Sequence, residues 1–152
     1  MQMPSSKKRK PRLVLDTNVW VSAVIWKGSP ARIIKAAQEK KVCIITSEEI
    51  VNEISRTLAY PRLKRIYEDA GVSQQQLISA ILQVANLVEV NSKIHVIRDD
   101  PADNKCLECA MDGKADFIVS GDNHLLKKGC YNRTRIVSVR QMLEIIEKDH
   151  SH

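Results

Sequence analysis

RLVLDTNVWVSAVIW, residues Arg12 to Trp26, decides how the chain is read. An apolar run reaches an aspartate, passes Thr-Asn, and turns at once into further apolar residues. RLVL has the character of a short buried strand. The small residues Ser22 and Ala23 and the KGSP stop that follows suit NVWVSAVIW to a short helix. Asp16 therefore stands at a strand's carboxyl end, between two segments that both read as buried. An unpaired buried charge costs several kcal/mol, so Asp16 needs either a partner or a chemical task.

Working outward, Pro30 suits the first turn of a second helix that runs through ARIIKAAQEK. VCIIT, with β-branched residues on either side of Cys43, reads as a strand. Ser47 follows it, with Glu48 and Glu49 in the first turn of a helix that continues through EEIVNEISRTLAY and halts near Pro61. Ser73 and Gln76 form a capping-box pattern for a helix over SQQQLISAILQVANLV, with Leu77, Ile81, Leu82 and Ala85 on one face. A further helix over about 102–112 ends at Gly113, a residue suited to a left-handed cap. Then come strand DFIVS, a turn or short helix at GDNHLLKK, strand RIVS and a last helix VRQMLEIIEK. Strands separated by helices imply right-handed crossovers and a parallel sheet covered on both faces. In such folds ligands bind outside the carboxyl ends of the strands.

A chain of 152 residues is sufficient for one domain. Residues 1–11 read as a disordered basic arm, 12–148 as the folded domain and 149–152 as a disordered tail. KKRKPR carries five of the 24 basic residues, which leaves 19 against 18 acids, so the net charge of +6 belongs largely to the arm. Such an arm could touch phosphates, serve as a nuclear address in a eukaryote, or only solubilise. No apolar run approaches the roughly 20 residues of a membrane span, and no secretory signal is read, which leaves the cytoplasm as the expected location. Cys43, Cys106, Cys109 and Cys130 are too few and scattered for a disulfide scaffold, and the Cys106/Cys109 pair lies in a helical segment without a second pair of zinc ligands. They read as buried or half-buried thiols.

Four carboxylates point at one edge of the sheet. Asp16 follows RLVL, and Asp122 follows DFIVSG at another strand's carboxyl end. Glu53 sits beside the apolar stripe of Ile50, Ile54 and Leu58. Asp103 opens the helix DNKCLECAMDG and shares the face of Leu107 and Ala110, whereas Pro101 favours extended backbone at Asp100. Each acid alone also reads as a helix cap, a turn residue or a solvated edge. Together they gather negative charge that only a cation can compensate. Oxygen ligands select hard ions such as Mg²⁺ or Mn²⁺, and such sites serve phosphate substrates. Metal-assisted phosphodiester hydrolysis is the natural reaction.

LDTNVW, SEEIVNEI, DPADNKCLECA and ADFIVSGDNHLL, in this order and spacing, resemble the PIN-domain nucleases, and the resemblance runs from about Arg12 to Glu147. It is most similar to the toxin components of bacterial toxin–antitoxin systems. The resemblance implies a three-layer α/β/α sandwich with a central parallel sheet, and Asp16, Glu53, Asp103 and Asp122 as catalytic acids around Mg²⁺ or Mn²⁺. It also implies single-stranded RNA as substrate, an antitoxin protein as partner, and a homodimer. Asn18 and Ser120 occupy positions at which the family holds its acids by hydrogen bonds. The basic arm departs from the family pattern. Asp116 begins a strand, away from the metal end, and reads as structural; His124 reads as a solvated turn residue. Trp20 reads as core, although Trp20 and Trp26 are candidates for stacking on bases. The competing reading from another class is an inactive module that holds RNA or protein. A haloacid-dehalogenase-like phosphatase fits less well, since its second acid would stand where this chain has Asn18.

Overall fold

The computed structural model describes residues 9–91 and 101–149, with the side chains of 101–103 excepted. The described elements are β1 (Arg12–Leu15), α1 (Thr17–Ile25), α2 (Ser29–Gln38), β2 (Cys43–Thr46), α3 (Glu48–Leu58), α4 (Pro61–Asp69) and α5 (Gln74–Val84). They continue as β3 (Ala85–Leu87), α6 (Pro101–Asp112), β4 (Phe117–Val119), α7 (Asn123–Lys128), β5 (Cys130–Tyr131), β6 (Thr134–Val137) and α8 (Val139–Asp149).

The strands form one six-stranded sheet in the order β3-β2-β1-β4-β6-β5. β1 lies between β2 and β4 and is parallel to both, with Val14 opposite Ile45 on one side and Ile118 on the other. Its residues Leu13, Val14 and Leu15 are fully buried, as a strand covered on both faces requires. From β1 the chain steps one way to β2 and β3, then returns across β1 to β4 and β6. Right-handed crossovers in opposite directions send their helices to opposite faces of the sheet. α1, α2 and α8 pack together, and α6 packs on β1, β2 and β4, giving the three-layer α/β/α sandwich. The direction reverses between β1 and β4, so a crevice opens there beyond the carboxyl ends.

Three elements differ from the sequence reading. The helix expected from Ser73 through Val88 ends at Val84, and Ala85–Leu87 instead add strand β3 to the edge of β2, with Ile44 opposite Ala85. Backbone pairing with an open sheet edge prevails there over helical periodicity. Leu77 and Ile81 are buried as expected, but Leu82 is about half exposed. Pro61, read as a stop, also starts α4, where its missing N–H costs nothing. A two-residue strand, β5, pairs antiparallel with β6, so the sheet is mixed at that edge.

Gly113 has a different reason from the one expected. The left-handed φ, 54°, belongs to Lys114. A Cβ at Gly113 would stand 2.9 Å from the Cys109 carbonyl and 2.9 Å from the Ile45 side chain, so close packing of α6 on β2 demands glycine. Cys106 and Cys109 are buried on α6, Cys43 is half-buried and Cys130 is exposed, and all four are free thiols. Burial pushes the Cys109 thiol up to about 12, which makes it a packing residue. Residues 1–8 of the arm, 150–152 of the tail, and Asp99 and Asp100 lie outside the described residues.

Candidate active site at the carboxyl edge

Asp16 is the first residue after β1. Its amide donates to the Val119 carbonyl at 3.1 Å, which keeps β1 and β4 paired to their ends. The residue is buried, 7% exposed. Oδ1 accepts from the Val19 amide at 2.8 Å, so Asp16 does cap α1. Oδ2 accepts from the Ser120 hydroxyl.

Ser120 follows β4 and is fully buried. Its amide donates to the Val137 carbonyl of β6 at 3.0 Å, and its Oγ accepts from the Asp122 amide at 2.9 Å. One hydroxyl thus ties the Asp16 carboxylate to the loop that carries Asp122. Asp122 caps α7, with Oδ1 accepting from the His124 amide at 2.7 Å. Burial raises the Asp16 pKa above its ordinary value, and the Asp122 charge adds to the rise. The Ser120 hydroxyl and the amides of Val19 and Gly121 oppose it without cancelling it.

Glu53 reaches the same junction from α3. Ser47, buried at the end of β2, caps that helix by accepting from the Ile50 amide at 3.2 Å. Glu53 is half-buried beside Ile54, and its Oε1 accepts from the Thr17 hydroxyl at 2.5 Å. Since Thr17 adjoins Asp16 in the chain, two hydroxyls join three acids: Ser120 links Asp16 to the Asp122 loop, and Thr17 links Glu53 to the start of α1.

Thr17 was not singled out by the sequence reading. Its only signal was a buried-looking hydroxyl beside the acid, and its partner lies 36 residues away. Asn18, expected to orient Asp16, is exposed on the first turn of α1; Ser120 and the Val19 amide hold Asp16 instead. Asp103 lies in the first turn of α6, a helix that packs on α3 and β1, and its side chain is outside the described residues. His124 is exposed, Trp20 is fully buried and Trp26 is half exposed. Asp116 sits at the opposite edge, where Oδ2 accepts from the Arg12 amide at 2.8 Å.

Among the described residues no basic side chain pairs with Asp16, Glu53 or Asp122. Nor do three described acidic, histidine or cysteine side chains alone form a metal-holding group. The donor chemistry nevertheless suits a hard divalent cation. The donors are carboxylate oxygens, and the central one is buried beside a second acid whose charge works against its ionisation. A cation there would favour the ionised form against both effects.

The family model described as PIN domain matches residues 12–124. The chain is 31% identical over 125 residues to the "Uncharacterized protein MJ1680" of Methanocaldococcus jannaschii, spanning 82% of this chain and 79% of that protein. In fold it is similar to the crystal structure of PAE2754 from Pyrobaculum aerophilum, with a TM-score of 0.56 and 16% identity, covering 91% of this chain and 90% of the other. The chain belongs to the PIN-domain family, a nuclease-type fold family.

Proposed function

We propose that this chain is a Mg²⁺- or Mn²⁺-dependent endoribonuclease that hydrolyses phosphodiester bonds of single-stranded RNA. The observation that carries this reading is the Asp16 carboxylate, buried at the β1/β4 switch point with Asp122 beside it and no described cation to answer it. A carboxylate kept only for capping α1 would do as well at the surface. Asp16, Asp122, Glu53 and Asp103 are the residues that would hold the ion. When bound, the ion supplies Lewis-acid activation of water and neutralises charge developing on the phosphate.

The chain's own groups do the rest. The Ser120 hydroxyl fixes the orientation of the Asp16 carboxylate and, through the Asp122 amide, the loop beside it. Thr17 turns Glu53 toward the same junction. The β1, β4 and β6 backbones hold both anchor points to the rigid centre of the sheet. We also assign the chain, on its sequence resemblance, to the toxins held in check by an antitoxin protein, acting as a homodimer in the cytoplasm. No helix among the described residues is long and apolar enough to cross a membrane.

The test is cleavage of defined single-stranded RNAs with Mn²⁺ or with EDTA, beside Asp16→Asn. Wild type cuts internally only with metal, and Asp16→Asn falls to background while keeping its circular dichroism. Cutting by Asp16→Asn at the wild-type rate overturns the reading. RNA binding without cutting by wild type favours the binding-module alternative.

A further inference from the structure

Residues 56–65 read RTLAYPRLKR, four cations and no acid in ten positions, with a tyrosine at the centre. They form the end of α3, the corner after it and the first half of α4. Arg56 stands three residues beyond Glu53 on the same helix, hence one turn away on its surface.

The corner is firmly built. The buried Tyr67 hydroxyl donates to the Leu58 carbonyl at 2.6 Å, satisfying an end group of α3 and drawing α4 back onto it. The Tyr60 amide donates to Thr57 O at 3.1 Å, its carbonyl accepts from Lys64 N at 2.9 Å, and Pro61 fixes the next φ. Leu63 and Ile66 are half-buried, Leu63 against the core, while Arg62, Lys64 and Arg65 are exposed with Arg56. On this fixed backbone the Tyr60 side chain is left 61% exposed. None of the four cations joins an ion pair among the described residues.

Resting on the nuclease reading above, we propose that this α3–α4 corner is the track that holds single-stranded RNA beside the acidic edge. The Tyr60 ring stacks on an unpaired base, and Arg56, Arg62 and Arg65 hold the flanking phosphates. An acidic edge repels a polyanion, so the affinity for RNA must come from cations elsewhere. Here Arg56 stands on the helix that carries Glu53, and Arg62, Lys64 and Arg65 stand at the start of the next helix, the corner between them lying about 10 Å along from Glu53 at ~1.5 Å rise per helical position. Cations interleaved with an exposed ring are the chemistry that binds single strands whatever their sequence. An acidic protein surface would need the cations and gain little from the ring.

The probe is a short fluorescein-labelled oligouridylate, bound to the full chain in EDTA and followed by anisotropy. Tyr60→Ala weakens binding about tenfold, whereas Tyr60→Phe, which keeps the π-face, stays near wild type. The same oligonucleotide annealed to its complement is indifferent to Tyr60→Ala. The double variant Arg62→Gln/Arg65→Gln flattens the slope of log affinity against log salt by about 1.4, the share of two phosphates on a single strand. Melting temperatures unchanged from wild type verify that these exposed substitutions leave the fold intact. If wild type binds the probe and every variant matches it in affinity and slope, the track is elsewhere while the nuclease reading stands. Equal weakening on single strand and duplex overturns the stacking role. A wild type that neither binds nor cuts RNA overturns both proposals.

Discussion

The central sheet carries a carboxylate at each edge of its β1/β4 pair, and the two edges answer those charges differently. At the amino edge, Asp116 Oδ2 accepts from the Arg12 amide at 2.8 Å, and Oδ1 pairs with the Arg9 guanidinium at 2.9 Å. The Arg12 guanidinium in turn donates twice to the Gly113 carbonyl, at 3.0 and 2.8 Å. Charge there is matched by charge, and the groups fasten the start of β1 to the end of α6. At the carboxyl edge, Asp16 is more deeply buried yet meets only hydroxyl and amide donors, with Asp122 raising its pKa further. An acid answered within the chain is a fastening; one left to dipoles alone is free to serve the ion proposed above.

That contrast can be broken most severely at the hydroxyl that serves the carboxyl edge. Thr17→Val removes the donor to Glu53 while keeping the shape, and lowers the metal-dependent cleavage rate by about 10- to 100-fold, the usual cost of losing a ligand's support. Thr17→Ser keeps the rate near wild type. Equal losses in the two variants would mean that Thr17 acts through packing.

A smaller effect, on stability, separates the two acids. Asp116→Ala costs about 1 kcal/mol in urea unfolding, since it leaves the Arg12 amide short of an acceptor and breaks a half-exposed pair that itself contributes little. Asp16→Asn leaves metal-free stability unchanged or higher, because asparagine caps α1 as well and carries no charge to bury. The sign with pH follows from the raised pKa. Between the ordinary 3.8 and the higher folded value, the folded state binds more protons than the unfolded state. Stability contributed by Asp16 therefore falls as pH rises through that window. The advantage of Asp16→Asn over wild type opens as pH climbs from 3.8 and is complete above the folded pKa. A pH-independent difference, or one that shrinks with rising pH, would contradict the assignment.

The strand-then-acid pattern made Asp16 and Asp122 legible, because a buried strand's carboxyl end fixes where the next residue stands. The start of α3 after Ser47 was legible from Glu48 and Glu49 in its first turn, whereas the cap that Ser47 makes there came from the structure. What stayed hidden depended on partners far along the chain. Thr17 finds Glu53 only once α1 and α3 pack, and Ala85–Leu87 become a strand only because β2 presents an open edge. Gly113 was read as a helix cap, although the contact that demands it is with Ile45, on a strand the cap rule never consults. Pro61 read as a terminator and hid α4, since proline ends one helix and opens another by the same missing N–H.

The most direct test of the central claim is thermal unfolding of wild type, Asp16→Asn and Asp116→Asn across millimolar Mn²⁺. An ion held only by the folded state stabilises by about 2.7 kcal/mol at a hundred times its dissociation constant. If Asp16 holds the ion, Mn²⁺ raises the melting temperature of wild type and Asp116→Asn alike and leaves Asp16→Asn flat. Melting temperatures unmoved in all three, or raised equally in all three, would contradict it.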